Sequence, residues 1–231
     1  MNKTIFITGA SSGLGKDTAK FFQSKGWNVV ATMRQPDNGS ELAALDNVLV
    51  TRLDVLDPAS INSAVQEGIR KFGRIDVLVN NAGYGAYGPL ESFARENIVR
   101  QFNTNVIGLL DVTRALLPHF RQNRDGVIIN ISSIGGKMAF PLGALYHGTK
   151  FAVEGISESL SYEVAQFGGK VKLVEPGAIA TDSMNTVPPR TVQSGNRPRI
   201  SSARLTPFCS GSTSVLSEMI GRAASHTGCV S

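Results

Sequence analysis

Short apolar runs alternate along this chain with longer segments whose apolar positions recur at three- and four-residue spacing. The runs are Thr4–Ile7, Asn28–Thr32, Val48–Leu53, Val77–Val79, Val127–Ile131 and Val171–Val174, and their lack of polar alternation predicts strands buried on both faces. Between them, Thr18-Ala19-Phe21-Phe22, residues 40–45, the set Ile61, Ala64, Val65, Gly68, Ile69 and Phe72, and residues 93–117 and 146–167 predict helices. Asp57-Pro58 reads as a helix start, with an N-cap carboxylate and a proline at the first turn, where no N–H is needed. Strands alternating with helices predict a single doubly wound α/β domain with a parallel sheet over residues 1–182.

Ligands bind such sheets at the carboxyl ends of the strands, so the residues just after each run are the first candidates. The first run leads into Thr8-Gly9-Ala10-Ser11-Ser12-Gly13-Leu14-Gly15 and then a helix, the opening of a Rossmann-type nucleotide-binding unit. Glycines here permit a tight turn, and the free N–H groups at the helix start face the negative charge of a pyrophosphate. The second run ends at Met33-Arg34, where an arginine attracts a ribose 2′-phosphate and an acid would repel it. Arg34 therefore argues for NADP(H) over NAD(H), against the competing reading of an exposed arginine before a loop.

Tyr146 and Lys150 lie four residues apart at the start of a predicted helix, so a phenol and an ammonium share one face. A cation beside a phenol favours the phenolate and lowers its pKa toward the range of a working general acid/base. Ser133, at the end of the fifth run, supplies a second hydroxyl, with Ser132 as its competitor. Two hydroxyl donors, one able to release its proton, are what a carbonyl oxygen gaining charge during hydride transfer needs. His147 invites a hydrolase reading, but no G-x-S-x-G elbow exists, and His147 reads as a helix-surface residue. Asn103 and Asn105 stand inside an otherwise apolar helical stretch, which calls for an exposed face or an interior hydrogen bond.

Composition narrows the class. Cys209 and Cys229 are the only cysteines, giving neither a disulfide framework nor a metal-binding pair, so no metal site is expected and a reducing, cytoplasmic setting is the default. No apolar run is long enough for a membrane span. The net charge of +5 is not spread evenly: residues 1–182 hold 18 Lys and Arg against 17 Asp and Glu, while residues 183–231 hold five Arg against Glu218. A body so balanced offers no nucleic-acid face.

Taken together, Thr8 to Gly15, Asn80-Asn81-Ala82-Gly83, Asn105, Ser133, Tyr146-xxx-Lys150, and Pro176-Gly177 with Thr181 make the chain resemble the short-chain dehydrogenase/reductase family, on the side of its NADP-using hydroxysteroid- and retinol-dehydrogenase-like members. The resemblance implies an oxidoreductase interconverting a carbonyl and an alcohol on an apolar small molecule. It implies a catalytic set of Asn105, Ser133, Tyr146 and Lys150, with Tyr146 as acid/base, Ser133 on the substrate oxygen, Lys150 on the nicotinamide ribose and Asn105 holding a water. It also implies cofactor contacts from Gly9, Ser11, Ser12, Gly13, Leu14, Gly15 and Arg34, from Asp54 and Val55 at adenine, from Asn81, Ala82 and Gly83 near the adenosine ribose, and from Pro176, Gly177, Ile179 and Thr181 near the carboxamide. A homodimer or homotetramer built on the helices at 93–117 and 146–167 is the family's habit. Tyr84, Tyr87, Met138, Phe140, Leu142 and Met184 are candidates for an apolar substrate wall.

Residues 183–231 depart from this pattern. They hold ten serines, four prolines and five arginines, with one amphipathic candidate, Val215-Leu216-Met219-Ile220. Such a composition buries little apolar surface, so an irregular segment is expected. An abrupt shift of this kind is what a change of reading frame near residue 183 would produce. A second reading follows: a non-catalytic or weakly active nucleotide-binding protein whose pocket the tail does not close.

Overall fold

The computed structural model of the chain describes residues 2–177 and 184–186, together with 217, 218, 220, 221 and 224. Six strands, β1 (Thr4–Thr8), β2 (Asn28–Met33), β3 (Val48–Arg52), β4 (Val77–Asn80), β6 (Gly126–Ile131) and β7 (Gly169–Val174), form one sheet in the order β3-β2-β1-β4-β6-β7. Every neighbouring pair is parallel. The winding direction reverses between β1 and β4, which opens a crevice at their carboxyl ends.

Side chains alternate across the sheet, and each set meets its own helices. Ile5, Ile7, Val29, Ala31, Val77, Val79, Val127 and Ile129 face α1 (Gly13–Ser24), packing on Leu14, Ala19 and Phe22. Phe6, Val30, Leu78 and Ile128 face the other way, against Ile61, Ala64 and Val65 of α3 (Pro58–Phe72), Val112, Leu116 and Phe120 of α5 (Gly108–Asn123), and Leu160 and Val164 of α6 (Ala144–Ala165). A sheet covered on both sides has no place for polar alternation, which is why its strands read as unbroken apolar runs. A short helix, α2 (Ser40–Ala43), sends Leu42 into the first of these cores.

Three features differ from the periodicity. The stretch predicted as one helix over 93–117 is α4 (Arg95–Phe102), a π-helical turn at Asn103–Ile107, and α5 continuing to Asn123. Asn105, in that turn, is the physical reason: its amide bonds backbone outside the helix, and a π-turn absorbs the extra residue this demands. Two three-residue strands, β5 (Gly85–Tyr87) and β8 (Met184–Thr186), pair in parallel apart from the main sheet. Strands this short leave no periodic trace. In the tail, Ser217, Glu218, Ile220, Gly221 and Ala224 are helical; Ile220 and Ala224 are buried in the α1-side core, and Ser217 Oγ lies 3.5 Å from Thr18 Oγ1. The rest of 187–231 lies outside the described residues. Among the described residues no helix is long and apolar enough to cross a membrane.

A buried polar ladder ties the carboxyl edge together. Asn80 and Asn130 are register partners, and Asn80 Nδ2 donates to Asn130 Oδ1 at 2.9 Å and to Thr113 Oγ1 of α5 at 2.9 Å. Asn130 Nδ2 donates to Ser157 Oγ of α6 at 2.8 Å. All four residues are buried. Asn130→Ala removes one of two hydrogen bonds from each of Asn80 Nδ2 and Ser157 Oγ and leaves a gap in the core, so urea denaturation should show a loss of about 2–4 kcal/mol; a loss below ~1 kcal/mol would mean the ladder does not hold the edge.

Candidate active site

The loops leaving β1, β4 and β6 meet around one crevice, beginning with the glycine turn. Gly9 and Gly13 adopt φ of +68° and +53°, a region L side chains rarely enter. A Cβ on Gly15 would collide with the carbonyl oxygen of Gly9 and stand 2.5 Å from Asn81 Nδ2. Ser12, the N-cap of α1, makes no side-chain cap bond, so the helix N-terminus presents its N–H groups uncapped. A cradle that only glycine fits, at an uncapped positive helix end, suits the pyrophosphate of a dinucleotide. Ser11 is half-buried, Ser12 exposed and Leu14 buried within the turn.

The loop after β4 is buttressed from β1. Thr8 Oγ1 accepts from the N–H groups of Asn81 and Ala82, each at 3.0 Å, and Asn81 Nδ2 donates to Thr8 O at 2.9 Å and Gly9 O at 3.0 Å. Asn81 thus spends its side-chain donors on holding the turn. Gly83 lets Asn105 approach: a Cβ there would meet Oδ1 at 3.1 Å. Asp54 Oδ1 accepts from Leu56 N at 3.0 Å, while buried Val55 packs against Gly108. Arg34 is exposed just beyond the end of β2. Pro176 is buried, its carbonyl accepting from Ile134 N at 3.0 Å, and Gly177 is exposed beside it. Ile179 and Thr181 lie outside the described residues.

The four candidates for chemistry converge. Asn105 Nδ2 donates to Tyr84 O at 2.8 Å and Thr149 Oγ1 at 3.1 Å, and its Oδ1 accepts from Tyr84 N at 3.1 Å. Thr149 Oγ1 in turn donates to Tyr146 O at 2.7 Å, so Asn105 steadies the first turn of α6. Lys150 Nζ donates to Ile131 O at 2.7 Å and lies 5.7 Å from the centre of the Tyr146 ring. Ser133 Oγ accepts from Gly135 N at 3.0 Å, which leaves its proton to donate, and it lies near enough to the Tyr146 phenol to lower its pKa in part. Ser132 is buried with no partner for its Oγ among the described residues.

Two expectations need correction. Burial pushes the Tyr146 phenol above its usual value, and the neighbouring Ser133 hydroxyl pulls it back only in part. The Lys150 ammonium donates to Ile131 O and lies over the Tyr146 ring, and in the cofactor-free protein burial of the phenol outweighs any lowering from it. Burial also lowers Lys150 to about 8, opposed by the Glu154 carboxylate; the residue keeps partial surface exposure, so the effect comes from protein atoms packed around the ammonium. His147, expected on the helix surface, is 4% exposed. Its ring contacts Gly135 O and Phe140 N, and the only hint in the sequence was the pair of glycines, Gly135 and Gly143, that make room for it.

On the substrate side, Tyr87 stacks at 5.4 Å from Tyr146, and burial followed by the neighbouring Tyr146 raises its phenol. Met138, Phe140 and Leu142 are exposed on the loop between β6 and α6. Met184 falls on β8, whose backbone lies beside Gly85.

Comparison with known proteins agrees with this geometry. The family model described as short chain dehydrogenase matches residues 3–191. The chain is 45% identical over 177 residues to the 3-ketodihydrosphingosine reductase of Bacteroides thetaiotaomicron, covering 77% of this chain and 64% of that relative's length. The solved structure of ElxO with NADP bound is similar at 35% identity and a TM-score of 0.75, over 79% of this chain and 76% of ElxO. A 3-ketoacyl-(acyl-carrier-protein) reductase from Brucella melitensis, complexed with NADH, is similar at 29% identity and a TM-score of 0.83, over 97% and 91% of the two chains. A glycine cradle at an uncapped helix end, a Tyr-Ser pair with a lysine behind it, and a family match over most of the length lead to one conclusion: the chain belongs to the short-chain dehydrogenase family and has the fold of its oxidoreductases.

Proposed function

We propose that this protein is an NADP(H)-dependent oxidoreductase that reduces a ketone or aldehyde on an apolar small molecule, or runs the reverse oxidation, with Tyr146 as general acid/base. The observation that carries this reading is the convergence at the crevice of Tyr146, the Ser133 hydroxyl near its phenol and Lys150 packed against its ring. NADPH, when bound in the glycine cradle, supplies the hydride that adds to the carbonyl carbon. Ser133 donates its free proton to the carbonyl oxygen, and Tyr146 delivers the proton that turns the developing alkoxide into an alcohol. A phenol that burial keeps protonated is suited to donate, and in the reduction direction this is the form required. Lys150 sits where it can hold a ribose hydroxyl while its charge supports the phenolate left behind. Gly9, Ser11, Ser12, Gly13, Leu14 and Gly15 would hold the pyrophosphate, Asp54 and Val55 the adenine side, Asn81, Ala82 and Gly83 the adenosine ribose, and Pro176, Gly177, Ile179 and Thr181 the carboxamide.

The apolar substrate class rests on Tyr87 beside Tyr146 and on the exposed Met138, Phe140 and Leu142 of the loop before α6, and the Bacteroides relative, named a 3-ketodihydrosphingosine reductase, points the same way. NADP preference rests on Arg34, since the similar solved structures carry NADP in one case and NADH in the other. The exposed apolar side chains Phe102, Ile107 and Phe151 support a homodimer through the helical face.

Tyr146→Phe should lower kcat for NADPH-dependent reduction of acetophenone by ~10²–10⁴-fold. Its NADPH affinity, read by cofactor fluorescence, should stay within about threefold of the parent. A variant that kept most of its rate would remove Tyr146 from the reaction. Arg34→Asp should shift the ratio of kcat/KM for NADPH over NADH by ~10–100-fold toward NADH, the worth of a charged phosphate contact; an unchanged ratio would place the selectivity elsewhere.

The lowered lysine makes a pH prediction with a definite sign. Its folded value of about 8 lies below the ordinary 10.5, so the unfolded chain holds more protons between those values and stability from this group rises with pH across that window. Without cofactor, Lys150→Met should be more stable than the parent at pH values below about 8, and the difference should shrink as pH climbs toward 10.5, followed by urea denaturation. A gap that stayed constant with pH would show that the buried ammonium carries no such strain.

A further inference from the structure

The imidazole of His147 bridges the two arms of the loop between Ser133 and Gly143. Its Nδ1 lies 2.9 Å from Gly135 O, and its Nε2 lies 3.0 Å from the N–H of Phe140. A carbonyl can only accept and an amide N–H can only donate, so the ring is neutral, with the proton on Nδ1 and the lone pair on Nε2. The fit is built for it: a Cβ on Gly135 would stand 2.7 Å from Nδ1, and one on Gly143 would stand 2.5 Å from Nε2. Tyr87, Phe140 and Tyr146 rings surround it at 6.5, 5.5 and 5.9 Å.

Each arm leads somewhere different. Gly135, held by its carbonyl oxygen, donates the N–H of its preceding peptide group to Ser133 Oγ at 3.0 Å, and the Ser133 hydroxyl lies near the Tyr146 phenol. The Phe140 arm carries Met138, Phe140 and Leu142, and there Leu142 takes φ of +65°, a strained value for a branched side chain, with its carbonyl accepting from Gly88 N at 2.8 Å. A strained residue persists only where its surroundings over-determine it.

We infer that His147 is a positioning residue with two separable duties: through Gly135 it aims the Ser133 hydroxyl at the reacting oxygen, and through Phe140 it holds the wall that recognises the apolar part of the substrate. The inference rests on the oxidoreductase reading for its kinetic arm and on geometry alone for its spectroscopic arm.

Two amides separate the duties. Asn ends where Nδ1 lies, so its NH₂ keeps the bond to Gly135 O and loses Phe140; Gln reaches the place of Nε2, so its carbonyl keeps the bond from Phe140 N and loses Gly135. With acetophenone and NADPH, His147→Asn should raise KM by ~10-fold with kcat within about threefold, and His147→Gln should lower kcat by ~10–100-fold with KM within about threefold. A residue that merely stabilised the fold would lower both variants alike, and equal losses in kcat and KM would overturn the inference. Nitrogen-resolved NMR of the full chain, with the His147 signal assigned by its loss in His147→Gln, should give the Nδ1–H tautomer; an Nε2–H tautomer, or a ring exchanging between the two, would overturn it as well. If the parent does not reduce acetophenone, the functional reading suffers for that substrate while the tautomer still decides the latch.

Discussion

The side-chain bond between Asn80 and Asn130 is the constraint on which the site depends. These are the last residue of one strand and the penultimate residue of its neighbour, side by side in a parallel register and fully enclosed. Each strand continues at once into a loop of the crevice, 81–87 from β4 and 132–143 from β6. The same pair engages Thr113 on α5 and Ser157 on α6, so the helix that follows the Asn105 turn and the one bearing Tyr146 and Lys150 are tied to the same point. An apolar ladder in this position would pack as densely, yet it would fix no direction. Hydrogen bonds in a low-dielectric interior are costly to leave unmade, and that penalty sets the relative height of both strands and both helices.

Electrostatics at Tyr146 and Lys150 work against ionisation. Burial raises the phenol and lowers the amine, so removal from water favours the neutral form of both. In the proposed reaction Tyr146 is then a protonated donor before reduction begins. Stabilising the phenolate strengthens the tyrosine as an acid for as long as it still holds its proton at the working pH. Glu154, four residues beyond Lys150, opposes the lowering of the amine and is itself held by Lys137 at 2.9 Å, which keeps the carboxylate close without a direct ion pair to the lysine.

Much of this was legible in the sequence, for physical reasons that can be named. Strands covered on both faces lose their polar alternation, so all six strands of the main sheet could be read from runs such as Phe6 and Val77. Glycines at 9, 13 and 15 stand out because two of them need backbone angles closed to other residues and the third needs space that a methyl group would fill. The spacing of Tyr146 and Lys150 follows from helix geometry alone. What could not be read depends on contacts distant in sequence. Asn105 breaks a helix because of the Tyr84 backbone it reaches; His147 is buried by glycines that precede it in a different turn; β5 and β8 are too short for periodicity to register. The sign of the Tyr146 shift was not legible because burial of the phenol sets it, and burial depends on packing rather than on the spacing of Lys150. Ile220 and Ala224 enter the α1-side core from a segment whose composition argues for little order, because burial depends on a few well-placed apolar side chains rather than on the average of the segment.

The division of anchoring across the crevice has a consequence for how such a site diversifies. Lys150 is fixed to a strand carbonyl, Asn105 to the Tyr84 backbone and Thr149 to the first turn of α6, all of them inside the packed frame. Met138, Phe140 and Leu142 instead project from a loop whose main attachments are the His147 ring, the Gly88–Leu142 bond and the pairing of Ile134 with Pro176. Substitutions on that loop alter the apolar surface offered to a substrate without touching the ladder or the lysine anchor. Ser133 is the exception, since in the proposed reaction its hydroxyl meets the substrate oxygen while its orientation is set by a loop N–H. Under the proposed reaction, a change in substrate preference that disturbs Gly135 carries a penalty in rate, whereas side-chain changes at 138–142 that keep the Phe140 N–H on His147 leave Ser133 and Tyr146 in place.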